Sequence, residues 1–254
     1  MGRTADISRA ARRIHARVSS SEAAWTGHEH YVGYAVMALP FSTGHILGLR
    51  VFPENDFSPY KSVWHRTPDG KWSIYNHGPS LETTCPRWWG PALDHAELAP
   101  VQLEWTGPAE LRVEMESPPL LWTLSLKAPL LLRVINALNS SLPLWMWKRR
   151  WQLRLQEWAA RRILAMGELM FSFITPSGLH ATIIPQQLYF VEESRAELDG
   201  HDLGHPVRLR RNPRIGKVPL PTRPIFVIGR TYATIEDPEE YRRTRRLVGA
   251  QGGE

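Results

Sequence analysis

The chain has 254 residues, 43% of them hydrophobic and 22% charged, a composition that excludes wholesale disorder, collagen and coiled coil and can bury a core without metal or disulfides. Thirty-one Lys and Arg against 25 Asp and Glu leave a net charge of +6. Cys85 is the single cysteine, which rules out an intrachain disulfide and a cysteine-built zinc site, and no apolar run approaches the roughly 18 residues of a membrane-spanning helix.

Residues 1–20 read as a basic helical segment. Ile7, Ala10, Ala11, Ile14 and Val18 recur at helical spacing, with Arg9, Arg12, Arg13 and Arg17 around them. The apolar centre of a signal peptide is missing, and Asp6 stands where a myristoylation signal requires Ser or Thr, so a cytoplasmic location is the expectation.

Residues 21–235 read as one β-rich unit. Strands are expected at 34–39, 45–52, 187–193, 207–211 and 225–235. Two hairpins share a Thr-Pro-polar-Gly turn, at Thr67-Pro68-Asp69-Gly70 and Thr175-Pro176-Ser177-Gly178. Proline presets the first turn position and glycine supplies the left-handed residue, which favours a type I turn with a bulge. If Thr67 pairs with Lys71, then Val63, His65, Ser73, Tyr75 and His77 share one face, with Trp64, Arg66, Trp72 and Ile74 on the other. The same register in the second hairpin groups Ser172, Ile174, His180 and Thr182 against Phe171, Phe173, Ala181 and Ile183.

Between the hairpins, residues 78–100 form a long irregular stretch carrying Cys85-Pro86-Arg87-Trp88-Trp89. An antiparallel meander follows, its alternating apolar positions being Val101, Leu103 and Trp105, then Leu111, Val113 and Met115, then Leu120, Trp122, Leu124 and Leu126. Trp105, Val113 and Trp122 are expected in the core. Residues 128–166 interrupt the sheet as a helical insertion: a short helix over 130–138, then a longer one over 144–166. On that longer helix Leu144, Trp147, Trp151, Leu155, Trp158 and Ala165 fall on one stripe, flanked by Arg150, Arg154 and Arg161. Residues 236–254 close the chain as a polar helix and tail, with Asp237 as N-cap and Pro238 in the first turn. The fold class is therefore mainly β, an antiparallel curved sheet or lipocalin-like barrel with a helical insertion and short terminal helices.

The charge is uneven. Residues 208–230 hold seven basic side chains and no acid, and residues 133–162 hold seven against Glu157 alone. No nucleic-acid-binding motif accompanies them, so nucleic acid is disfavoured; a solvated basic face or an anionic membrane surface is the alternative. Tryptophan beside arginine on the 144–166 helix suits either a lid on the sheet or a helix lying in a membrane interface, with Trp147, Trp151, Trp158, Arg150 and Arg154 as its contact residues.

His28 with His30, and His201 with His205, lack a third ligand, so no metal site is expected. Phosphate loops, nucleophile elbows and dinucleotide fingerprints are missing too, and no cofactor is expected. Cys85 precedes a proline with no fixed histidine beside it, which disfavours a nucleophile. His65, Ser73, Tyr75, His77 and His180 are the candidate ligand-binding residues, as polar groups on strand faces that would line a barrel cavity.

Two segments carry a family resemblance: the Trp-rich hairpin 64–78 after Phe57-Ser58-Pro59-Tyr60, and Ser194-Arg195-Ala196-Glu197-Leu198-Asp199-Gly200-His201-Asp202-Leu203-Gly204. In these the chain resembles the lipocalin-like (calycin) barrels related to carotenoid 1,2-hydratases and hydroxyneurosporene synthases. The resemblance implies binding of a long apolar molecule, such as an isoprenoid, polyketide or lipid, and cofactor-free acid chemistry (hydration, cyclisation or isomerisation), for which Asp56, Glu82 and Asp94 are candidate acids. The competing reading is a non-catalytic lipid-binding or membrane-docking protein using the helix 144–166. A buried carboxylate in the cavity would favour the enzyme; a cavity without one, beside an exposed Trp and Arg face, would favour the binder.

Overall fold

The computed structural model describes residues 6–15 and 25–251. Helix α1 (Ile7–His15) is capped by Asp6, whose Oδ1 accepts from Arg9 N at 2.8 Å. Four strands follow as two hairpins: β1 (His28–Pro40), β2 (Ile46–Asn55), β3 (Tyr60–Arg66) and β4 (Trp72–His77). The irregular stretch after β4 contains a short α-helical turn, α2 (Pro86–Trp89), between two 3₁₀ turns, and ends in β5 (His95–Leu98), which runs parallel to β4. Strands β6 (Val101–Trp105), β7 (Glu110–Glu116) and β8 (Pro119–Lys127) form the meander. The insertion holds α3 (Leu130–Ser141) and α4 (Arg150–Arg162). The chain returns through β9 (Ser172–Ile174) and the long β10 (His180–Leu198), paired at its end with β11 (His201–Asp202). A small pair, β12 (Arg214–Ile215) and β13 (Val218–Pro219), precedes β14 (Ile225–Thr234) and α5 (Pro238–Gln251).

The main sheet runs β5-β4-β3-β2-β1-β14-β10-β8-β7-β6. It curls into a half-barrel, mainly antiparallel. One buried cluster joins Val63 and Tyr75 near one edge to Val101 and Val113 near the other, so this face is the concave one. Trp122 sits there fully buried, its Nε1 donating to Ser194 Oγ at 2.9 Å, and α1 contributes Ile7 and Ala11. Val113 is buried as expected, but Trp105 is only half-buried, because β6 is an edge strand and offers its side chains cover from one neighbour only. Val18 of the expected N-terminal helix lies outside the described residues.

Both hairpins adopt the register that their turns dictate. Thr67 N donates to Lys71 O at 3.0 Å, Gly70 has φ +102°, and His65 pairs with Ser73. Thr175 N donates to Leu179 O at 2.8 Å, Gly178 has φ +94°, and His180 pairs with Ile174. The segment 207–211 is not a strand: Val207 N reaches Pro40 O and Leu209 N reaches Thr222 O, single bonds rather than a ladder, between the donorless Pro206 and Pro213.

The expected helix over 144–166 is broken. Residues Leu144–Lys148 form a 3₁₀ turn, Arg149 is extended at φ −84°, ψ 119°, and α4 starts at Arg150. A continuous helix would stack Trp147 over Trp151 on one face. The break lets Trp147 turn into the core, 1% exposed, while Trp151 stays 58% exposed. Burial of one indole overrides local helix periodicity here.

Helix α3 docks by satisfying backbone. Between its partners β8 and β9, strand β10 has a bulge at Pro185/Gln187 and an unpaired edge. Asn136 donates to Leu188 O at 2.9 Å and accepts from Leu188 N at 2.7 Å, and Asn139 donates to Pro185 O at 3.1 Å. Two asparagines thus stand in for a missing strand.

Candidate functional site

A cavity of about 470 Å³ lies on the face of the sheet opposite the concave core, under the helical insertion. That volume is within the range of small-molecule sites. Its floor is Ala35 and Met37 of β1, Ile183 and Pro185 of β10, and Val227 and Gly229 of β14. Gly229 faces Gly33 across the β1–β14 pair, and a Cβ on Gly229 would meet Ile184 O at 2.2 Å, so the strand approach at the floor requires glycine. The wall is the insertion, with Leu138 from α3 and Leu155, Trp158 and Ala159 from α4. The inner end is aromatic, formed by Tyr60, Trp64, Trp88, Trp89 and Phe173.

Two cations line this apolar space, the half-buried Arg230 and the buried Arg50. The sheet slips register between Val36 and Leu39, and the Arg50 guanidinium fills the gap: Nη1 donates to the carbonyls of Val36 and Leu49, and Nη2 to Met37 O at 3.1 Å. Its Cζ lies 4.7 Å from the Trp64 ring centroid, a cation–π contact. Arg50 is 7% exposed, and among the described residues no carboxylate pairs with it. Burial lowers its pKa to about 10, which leaves it charged at neutral pH.

Beside it, Trp64 Nε1 donates to Ser62 Oγ at 3.0 Å, Ser62 Oγ lies 3.2 Å from Cys85 Sγ, and Tyr60 OH lies 3.6 Å from the same sulfur. Burial pushes the Cys85 thiol and the Tyr60 phenol up, so both keep their protons at neutral pH. The thiol is therefore a weak donor, not a thiolate nucleophile.

The five polar side chains read from the hairpins lie elsewhere. The register is as expected, yet the cavity uses the other face: Trp64 and Phe173 line it, while His65, Ser73, Tyr75, His77 and His180 do not. His65 is buried and stacked on His45, with His45 Nδ1 and His65 Nε2 2.8 Å apart. Burial first, then His45, holds the His65 pKa down at about 4. Tyr75 packs in the concave core beside half-buried Ser73; exposed His77 accepts from Val101 N at 3.0 Å; exposed His180 bonds Ser172 Oγ at 3.0 Å. The physical reason is that the concave face fills with its own side chains, while the insertion bridges the convex one and leaves space beneath it.

The candidate acids are engaged or outside. Asp56 accepts from His30 N and Tyr241 OH, Asp94 accepts from Trp72 N, and Glu82 is exposed. Glu29, buried and paired with Arg87 at 2.6 Å, also stands off the cavity. No Asp or Glu is among the described residues that line it. Among the described residues no group of His, Cys, Asp and Glu could hold a metal ion.

Outside the cavity the insertion leaves a large apolar surface uncovered. Leu130, Leu131, Val134 and Leu138 of α3, Trp145, and Trp151, Leu155 and Trp158 of α4 are each between 48% and 77% exposed. Arg133, Lys148, Arg149, Arg150, Arg154, Arg161 and Arg162 are exposed around them. The second basic stretch comes to the same place, with Arg208 Nη2 donating to Ala165 O at 2.6 Å and Arg214 lying 3.7 Å from Glu168. Arg208 and Arg214, from a charge run about fifty residues further along the sequence, thus lie against the segment that follows α4. Arg50 and this convergence were missed by the sequence; the signal for Arg50 was a lone charge within Ile46-Leu47-Gly48-Leu49-Arg50-Val51-Phe52.

No family model, no curated protein and no solved structure matches the chain.

Proposed function

We propose that the protein binds an apolar small molecule in the cavity under its helical insertion, and exchanges it while docked on an anionic membrane through that insertion. The observation that carries this reading is a continuity. Leu138, Leu155, Trp158, Ile163 and Met170 line the cavity and are also among the large hydrophobic side chains exposed to solvent. The apolar interior therefore opens directly onto the apolar surface, a route that spares a ligand from crossing water.

The basic rim gives the partner its charge. Near an anionic leaflet each Lys or Arg contributes about 1 kcal/mol, and exposed tryptophans insert at the headgroup level. No helix among the described residues is long and apolar enough to cross a membrane, so docking is peripheral on this reading. A carboxylate-free lining supports a carrier or binding protein over acid-catalysed hydration, cyclisation or isomerisation.

Co-sedimentation with vesicles tests the docking. Vesicles containing phosphatidylglycerol should bind the protein more tightly than pure phosphatidylcholine, and salt should weaken that binding as the Debye length shrinks. Equal binding to both, insensitive to salt, would overturn the electrostatic docking.

A further inference from the structure

We infer that the inner end of the cavity is a headgroup site, in which Arg50, with Tyr60 and Cys85 beside it, holds the carboxylate of a long-chain acid whose tail lies along the cavity. This rests on the proposed binding function and narrows its ligand class.

A guanidinium has five N–H donors, and the three bonds to Val36, Leu49 and Met37 occupy three of them. Among the described residues the other two have no protein acceptor. The charge is buried against Trp64 without a counter-ion, in a cavity whose other polar groups are few. Two unused N–H donors of one planar group match the two oxygens of a carboxylate, and a charge-assisted pair would neutralise Arg50 where water cannot.

Tyr60 and Cys85 fit the same occupant. Both line the cavity and both remain protonated; their contact with each other uses one of the two protons, which leaves the other, O–H or S–H, to donate to an oxygen anion. The register slip that frees the Val36 and Met37 carbonyls fixes the guanidinium in place, so the site is built before any ligand arrives. The apolar floor and the wall of α4 then accept a hydrocarbon tail that leads toward the exposed rim at Trp158 and Met170.

The test uses a conjugated-tetraene C18 fatty acid, fluorescent when bound, and its methyl ester, titrated into the delipidated full chain. The acid should bind at least tenfold tighter than the ester. Arg50→Met should lower acid affinity at least tenfold and leave the ester unchanged, and Tyr60→Phe should lower acid affinity severalfold. The wild-type comparison of acid with ester needs no variant, so it decides the matter even if Arg50→Met does not fold. Equal affinity for acid and ester overturns the headgroup site and leaves the cavity reading intact. Binding of neither probe overturns both. A long-chain phosphate monoester that displaces the acid at a tenth of its concentration overturns the assignment to a carboxylate.

Discussion

Trp147 and Trp151 stand four residues apart, yet Trp147 is 1% exposed and Trp151 is 58% exposed. The extended Arg149 between them turns one indole into the cluster with Leu132, Ile184 and Tyr232 and leaves the other outside. Their roles should separate in experiment. Trp147→Ala empties a core position and should cost about 3–5 kcal/mol in urea denaturation. Trp151→Ser should change stability by less than about 0.5 kcal/mol while weakening binding to anionic vesicles. A Trp151 variant that binds vesicles like the wild type would remove this side chain from the docking face.

The stacked pair His45 and His65 should make stability depend on pH. In the fold His65 has its pKa near 4, below the ordinary 6.5 of histidine, through burial, with charged His45 opposing and Asp199 favouring protonation. Between these values the unfolded chain binds a proton that the native one excludes. The stability is full above pH 6.5 and falls as pH drops toward 4, by up to about 3 kcal/mol. His65→Gln removes this contribution, so the gap between variant and wild type should change across that window in denaturant titrations at successive pH values. A constant gap would mean that His65 is protonated in the native state.

Glu29 and Arg87 hold the loop 78–93 against β1. Glu29 is 1% exposed and accepts from Arg87 Nη2 at 2.6 Å and from Trp88 Nε1 at 3.2 Å. Glu29→Ala leaves the partly buried guanidinium with only the exposed Glu240, 3.4 Å from its Nη1, and should cost about 3 kcal/mol. Replacing both partners by Met should recover part of that loss. A double variant less stable than Glu29→Ala would show that Arg87 matters through packing on Phe57, over which its guanidinium sits, rather than through charge.

The hairpins and the meander were legible because their determinants are local. Thr-Pro-polar-Gly fixes a turn, the turn fixes a register, and alternation along 101–127 marks one buried face. The face that would carry the cavity was not legible. In β2 every residue of 46–51 is buried, so alternation is silent about which side packs solidly and which side is bridged by the insertion. That choice depends on Asn136 and Asn139 docking on β10, a contact across about fifty residues that no local pattern encodes. The amphipathic pattern of 144–166 was readable, but its break at Arg149 came from burial of Trp147.

On the proposed function, the cavity under the insertion holds an apolar molecule. Native mass spectrometry of the full chain, purified without detergent, tests it most directly, with Ala159→Trp as the control that fills the cavity from α4. The wild type should carry one apolar molecule per chain, released on denaturation into an organic extract, and the Ala159→Trp chain should carry none while keeping its fold. A wild-type chain of bare polypeptide mass, or the same adduct on both proteins, would contradict the account.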